Sequence, residues 1–172
     1  MNMKVATLFC VTLSMAFSAQ AQLVFPKLKA SNLSKQELTL PRDFSGEWNL
    51  VLIAFQREQQ REVDTWLAAL PKVKLEKPSL AYYELPTIKR PNSMTRWFID
   101  SGMRRGIPDQ QQRDRTITLY IDKEPFEKAL AITSENQIYA LLLNKSGAVV
   151  WRAEGTYDET KGASLREFLR QN

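Results

Sequence analysis

Histidine is absent from the 172 residues, and cysteine occurs once, as Cys10. The first absence removes an imidazole general base, the Ser-His-Asp and Cys-His arrangements, and every imidazole metal ligand. The second removes an internal disulfide and any two-thiol redox cycle within the chain. Glycine is sparse, with six residues, and no G-x-G-x-x-G or Walker-type loop occurs to cradle a phosphate. Asp43 and Glu47 flank Gly46 without the spacing of a calcium loop. Glu58, Glu62 and Asp64 cluster in sequence, but helical spacing turns them mainly toward water. Nothing there separates their pKa values as paired catalytic carboxylates require. No catalytic residue, metal or cofactor is assigned from the sequence.

What is present begins with a leader. Lys4 is followed by an apolar run from Val5 to Phe17 and by Ala19-Gln20-Ala21. A short positive start, a short apolar stretch and an A-x-A site form a secretory signal pattern, with cleavage expected before Gln22. The run falls short of the roughly 20 residues of a membrane-spanning helix. Cys10 precedes most of the run, which is the wrong place for a lipid-anchored mature N-terminus. The expectation is residues 1–21 as signal peptide, 22–43 as a lead-in and 44–172 as one domain, exported to a periplasmic or secreted location. The mature domain then has no cysteine and holds together by packing.

The chain carries 24 Lys+Arg and 19 Asp+Glu, a formal net charge of +5. The excess concentrates in residues 89–115. There Lys89, Arg90, Arg96, Arg104, Arg105, Arg113 and Arg115 oppose only Asp100, Asp109 and Asp114. A local positive surface attracts an acidic partner or anionic lipid head groups. Export argues against nucleic acid.

Patterning gives the order of elements. Residues 49–55 (NLVLIAF) form a near-continuous apolar run, as expected of a central strand. A helix follows from Glu58 to Leu70, with Val63, Trp66, Leu67 and Leu70 on one stripe and Pro71 expected to end it. Pro78 and Pro86 bracket a strand at 79–85, and Asn92-Ser93 caps a short helix. Its apolar stripe, Met94, Trp97 and Phe98, is expected to face the core, with an end near Gly102. Residues 116–121 form a strand and 125–130 a helical turn. Strands at 137–143 and 148–154 meet in a hairpin at Asn144-Lys145-Ser146-Gly147, and a final helix spans about 161–170. Two layers of helix around a mixed sheet fit this order, an α/β/α sandwich.

The closing stretch IYALLLNKSGAVVWRAEG, followed by a helix, resembles the end of a thioredoxin-like domain, and the likeness runs over about residues 44–170. Within that superfamily the chain resembles the mitochondrial ATP synthase assembly factor family. The likeness lies in NLVLIAFQREQQREVDTWL (49–67), RRGIPDQQQRDRTITLYI (104–121) and LLLNKSGAVVWRAEG (141–155). The resemblance implies a thioredoxin-like three-layer sandwich with a C-terminal hairpin and helix, and a role in building a membrane complex. The redox hallmarks depart from the superfamily pattern. Gln56, Arg57, Glu58, Gln59 and Gln60 stand where the redox sulfur would be, and Thr133-Ser134-Glu135-Asn136 holds no counterpart of the cis-proline.

The candidate site residues follow from position and charge. Arg57, at the start of the loop after the first strand, is a possible anchor for an anion or ligand; the plainer reading pairs it with Glu58 or Glu62. Trp97, Arg104, Arg105, Arg113 and Arg115 are a possible protein-binding surface, since aromatic and arginine side chains anchor interfaces. Trp151 is expected under the closing helix, with Arg152 and Glu154 paired on the other strand face. The functional expectation is a non-catalytic exported protein that binds other proteins, an assembly or chaperone-like factor for an envelope complex. The alternative is an enzyme or small-anion-binding protein working through a non-thiol site near Arg57.

Overall fold

The computed structural model describes residues 22–172; the leader and Cys10 lie outside them. Among the described residues seven strands and five α-helices occur, in the order β1 (Leu28–Asn32), β2 (Glu37–Leu40), β3 (Trp48–Ala54), α1 (Gln60–Lys74), β4 (Ala81–Lys89), α2 (Ser93–Gly106), α3 (Gln110–Arg115), β5 (Ile117–Ile121), α4 (Lys123–Ala129), β6 (Tyr139–Asn144), β7 (Val149–Glu154) and α5 (Glu159–Gln171). One sheet runs β2-β1-β5-β4-β3-β6-β7. The central β5, β4 and β3 are parallel, and β6 and β1 join them antiparallel.

Two apolar layers hold the sheet. Alternation sends Leu50, Leu52, Ala140 and Leu142 to one face, where Val63, Trp66 and Val73 of α1 and Leu165 and Leu169 of α5 cover them. Val51, Ile53, Leu141 and Leu143 point to the other face and meet Phe25, Leu40, Phe44 and Phe126 of α4. This is the expected three-layer sandwich. The β3–α1–β4–(α2, α3)–β5 path moves one strand at a time toward the same edge. The sheet then returns across itself through α4 to β6. The hairpin forms as expected: Asn144 Oδ1 accepts from Ser146 N and Ala148 N, and Gly147 adopts φ +83°.

Several expectations need correction. The lead-in carries two strands, and β1 extends the sheet beyond β5 through Ser31 and Asn32. Pro71 does not end α1. It is exposed inside the helix, which continues to Lys74 because Val73 is buried. Pro86 does not end β4. It pairs with Ala54, the last residue of β3, so its missing N–H falls at the margin of that ladder. The helix after Asn92 runs to Gly106 rather than Gly102, and α3 is an element the patterning missed. Met94, Trp97 and Phe98 do not face the core: they are 71%, 61% and 60% exposed. The inward side of α2 is instead Ile99, Asp100 and Met103. Met103 Sδ accepts from Thr118, and Asp100 accepts from the Tyr120 hydroxyl at 2.8 Å.

Candidate functional site

The carboxyl ends of parallel strands that share a sheet with crossover helices are where α/β folds place their clefts. Here Ala54, Phe55, Pro86, Thr87 and Ile88 supply the floor of such a cleft. The 3-10 turn before α1 and the first residue of α1 form one wall through Gln56, Arg57 and Gln60, and α2 forms the other through Phe98, Gly102 and Met103. Its volume is about 770 Å³, within the usual range for a ligand or peptide side-chain pocket.

Gln59 decides what this site cannot do. It is buried in the 3-10 turn that leads into α1. Its Oε1 accepts from Phe55 N at 2.8 Å and Gln56 N at 3.2 Å, and its Nε2 donates to Glu135 O at 2.7 Å. Gln56 Nε2 donates to the same carbonyl. The loop after β3 and the loop before β6 are thus tied by amide hydrogen bonds across the position of a redox sulfur. With one cysteine in the whole chain, there is no dithiol to cycle and no thiol-pair catalysis.

Arg57 stands on the cleft wall, exposed, and makes no ion pair or side-chain hydrogen bond among the described residues. The expected pairing with Glu58 or Glu62 does not form. Below the polar wall lies Glu84 of β4, 3% exposed. Gln60 Nε2 donates to it at 3.2 Å and Gln112 Nε2 at 3.4 Å. Burial pushes its carboxyl above the usual range, more than the two amide donors lower it. Nothing in the patterning marked Gln59 or Glu84; a charged residue inside an apolar strand was the one available signal for Glu84. A second titratable group sits behind the loop before β6. The Lys123 ammonium bonds Glu135 and holds it low, while burial and the adjacent Glu135 push Glu127 up.

The proposed surface divides. Trp97 and Arg105 lie on the exposed part of α2, and Arg104 turns toward a hollow shared with Ser31, Lys35 and Asp100. Arg113 and Arg115 of α3 are engaged inside the molecule. Arg113 donates to Ile107 O and Gln110 Oε1. Arg115 lies over Tyr83 at 5.2 Å and donates to Ser45 Oγ. On β7, Arg152 and Glu154 pair at 2.8 Å. Trp151 donates to Ser164 of α5 at 3.0 Å, as the alternation implied.

No family model matches the chain, and no curated protein matches it. Solved structures do match. A protein from Aquifex aeolicus VF5 described as an electron-transfer protein aligns with TM-score 0.61 at 9% identity, over 89% of this chain and 100% of its own. Copper-bound ScoI of Arabidopsis thaliana aligns at 0.60 and 13% identity, over 87% and 99%. BsSco, described as a member of the Sco family of cytochrome c oxidase assembly proteins, aligns at 0.55 and 11%, over 88% and 96%. At identities this low the likeness shows the fold alone: the fold is thioredoxin-like, and the chain, with one cysteine, has no dithiol.

Proposed function

We propose that this chain is a non-catalytic, exported thioredoxin-like domain that holds a segment of another protein in the cleft between α1 and α2, as an assembly or chaperone-like factor for an envelope complex. One observation carries the reading: amide hydrogen bonds from Gln59 occupy the redox position, while the cleft beside it stays open and keeps an unengaged Arg57 on its wall. A thioredoxin-like cleft without its sulfur retains the means to bind and loses the means to exchange electrons. The leader pattern of residues 1–21 supports export. The local patterns at 49–67, 104–121 and 141–155, which resemble the mitochondrial ATP synthase assembly factor family, are in line with an assembly role. So is the fold shared with BsSco, a protein described among assembly proteins. A fold hosts many functions, so the client is to be found by experiment.

Gly102 offers the test. It lines the cleft, and a Cβ added there meets no atom within 4 Å. Gly102→Leu therefore fills part of the cleft, with open space for its Cβ. Tagged parent protein recovers a defined set of membrane-complex subunits from detergent-solubilised envelope, and Gly102→Leu loses them. Equal recovery by the two proteins contradicts the cleft as the binding site. The second reading, a small anion at Arg57, is favoured by the absence of a partner for that guanidinium among the described residues. It predicts a ligand-induced rise in melting temperature that Arg57→Ala abolishes.

A further inference from the structure

Helix α2 contains no buried residue. Its outward side presents Met94, Trp97 and Phe98 to water, with the two rings packed edge to face at 5.0 Å. Ser101 and Arg105 continue the same side by helical spacing. Around it residues 89–105 carry Lys89, Arg90, Arg96, Arg104 and Arg105 against Asp100 alone. Asp100 is turned inward, accepting from Tyr120 and lying 3.9 Å from Arg96. Lys89, Arg90 and Arg105 are exposed. Met94, Trp97 and Phe98 form the crest of this exposed side, with the cations beside them.

We infer that α2 is an interfacial helix that lays this face on an anionic phospholipid bilayer. Three large apolar side chains held together in water are costly, and one helical side of Trp, Phe and Met bordered by Lys and Arg is the composition that lies in a membrane interface. Tryptophan favours the head-group level, where its ring is apolar and its N–H is wet. The basic residues match the negative surface of the leaflet. An acidic protein groove would match the charge too, but a crest with cations at its margins meets a deformable flat surface without requiring a shaped receptor. Phe98 belongs to both the crest and the cleft rim, so a docked helix sets the cleft mouth beside the membrane. This placement stands whether or not the cleft holds a client.

The test uses the mature chain and vesicles of phosphatidylcholine with or without phosphatidylglycerol. Trp66 is buried, and Trp48 and Trp151 are half-buried against α5, so Trp97, 61% exposed, is the tryptophan most open to solvent. The protein floats with the anionic vesicles and not with phosphatidylcholine alone. Its emission shifts to the blue and is quenched by brominated acyl chains, and Trp97→Phe removes both responses while keeping flotation. Trp97→Ser with Phe98→Ser, and separately Arg90→Gln with Arg105→Gln, each weaken partition about tenfold or more, in line with lost apolar burial or lost head-group attraction. No flotation overturns the inference. So does flotation that the serine variant keeps, or a Trp97 that stays in water. If the serine variant loses capture of a protein from envelope while the parent ignores vesicles, the crest is a protein interface and not a membrane one.

Discussion

Gln59 and Glu84 set the chemistry of the site residue by residue. Truncating Gln59 leaves the half-buried Phe55 N–H and Gln56 N–H without their acceptor and leaves Glu135 C=O with Gln56 Nε2 alone. Gln59→Ala is expected to cost about 2 kcal/mol by urea denaturation; a loss too small to measure would mean that the two loops hold without it. Glu84 gives a pH signature. Its folded-state pKa is raised, so the fold binds more protons there than the unfolded chain does. Stability tied to this group is full below the ordinary glutamate range and falls as pH rises through the folded-state value. Glu84→Gln should therefore be more stable than the parent at neutral pH, with the difference shrinking as the medium is acidified. A urea series over pH checks it, and a variant weaker at every pH would contradict it. Local chemistry of this kind was partly legible. Asn92 could be placed as a cap, and Arg152 with Glu154 as a pair, because each depends on neighbours in sequence. Gln59 was not legible, because its role depends on Glu135, far along the chain.

Elements read well where the pattern was self-sufficient and poorly where the partner decides. β3 and β6 are apolar along their length, and both were placed within two residues at each end. β1 is short and of mixed polarity, and it is a strand because β5 offers Thr118 and Ile117 as an edge. Pro71 and Pro86 misled because proline signals a break only when the lost hydrogen bond matters. One falls on an exposed turn of a helix held by Val73, the other at a ladder's margin. The packing of α5 hangs on a glycine. Trp66 donates to Gly155 O and meets Tyr157 edge to face, and a Cβ on Gly162 would strike the Tyr157 ring. Gly162→Ala should destabilise by about 2 kcal/mol through this overpacking, measured as a lower denaturation midpoint with loss of the Trp66–Tyr157 contact. An unchanged midpoint would show that Tyr157 moves aside freely.

For the molecule as a whole, a mixed sheet covered on both sides was foreseen from element order, while the strand order β2-β1-β5-β4-β3-β6-β7 was not, and the redox cysteines were read as missing from the sequence. The α2 face was not. Periodicity shows that Met94, Trp97 and Phe98 share a side, but the same stripe serves a core or an interface, and only packing distinguishes them. The inward side of α2 faces Thr118 and Tyr120 on β5, whose hydroxyls donate to Met103 Sδ and Asp100 Oδ1, and the aromatic side is left outward. The account places binding at one end of the molecule, where the cleft and α2 adjoin. The opposite end, at the β6–β7 turn, has no part in it.

A photoreactive benzoylphenylalanine at Phe98, on the cleft rim, compared in living cells with the same group at Ser146 in that far turn, tests this placement most directly. The account predicts one dominant protein adduct from position 98 that Gly102→Leu suppresses, and none of that species from position 146. Adducts that are the same from both positions, or that persist when the cleft is filled, would contradict it.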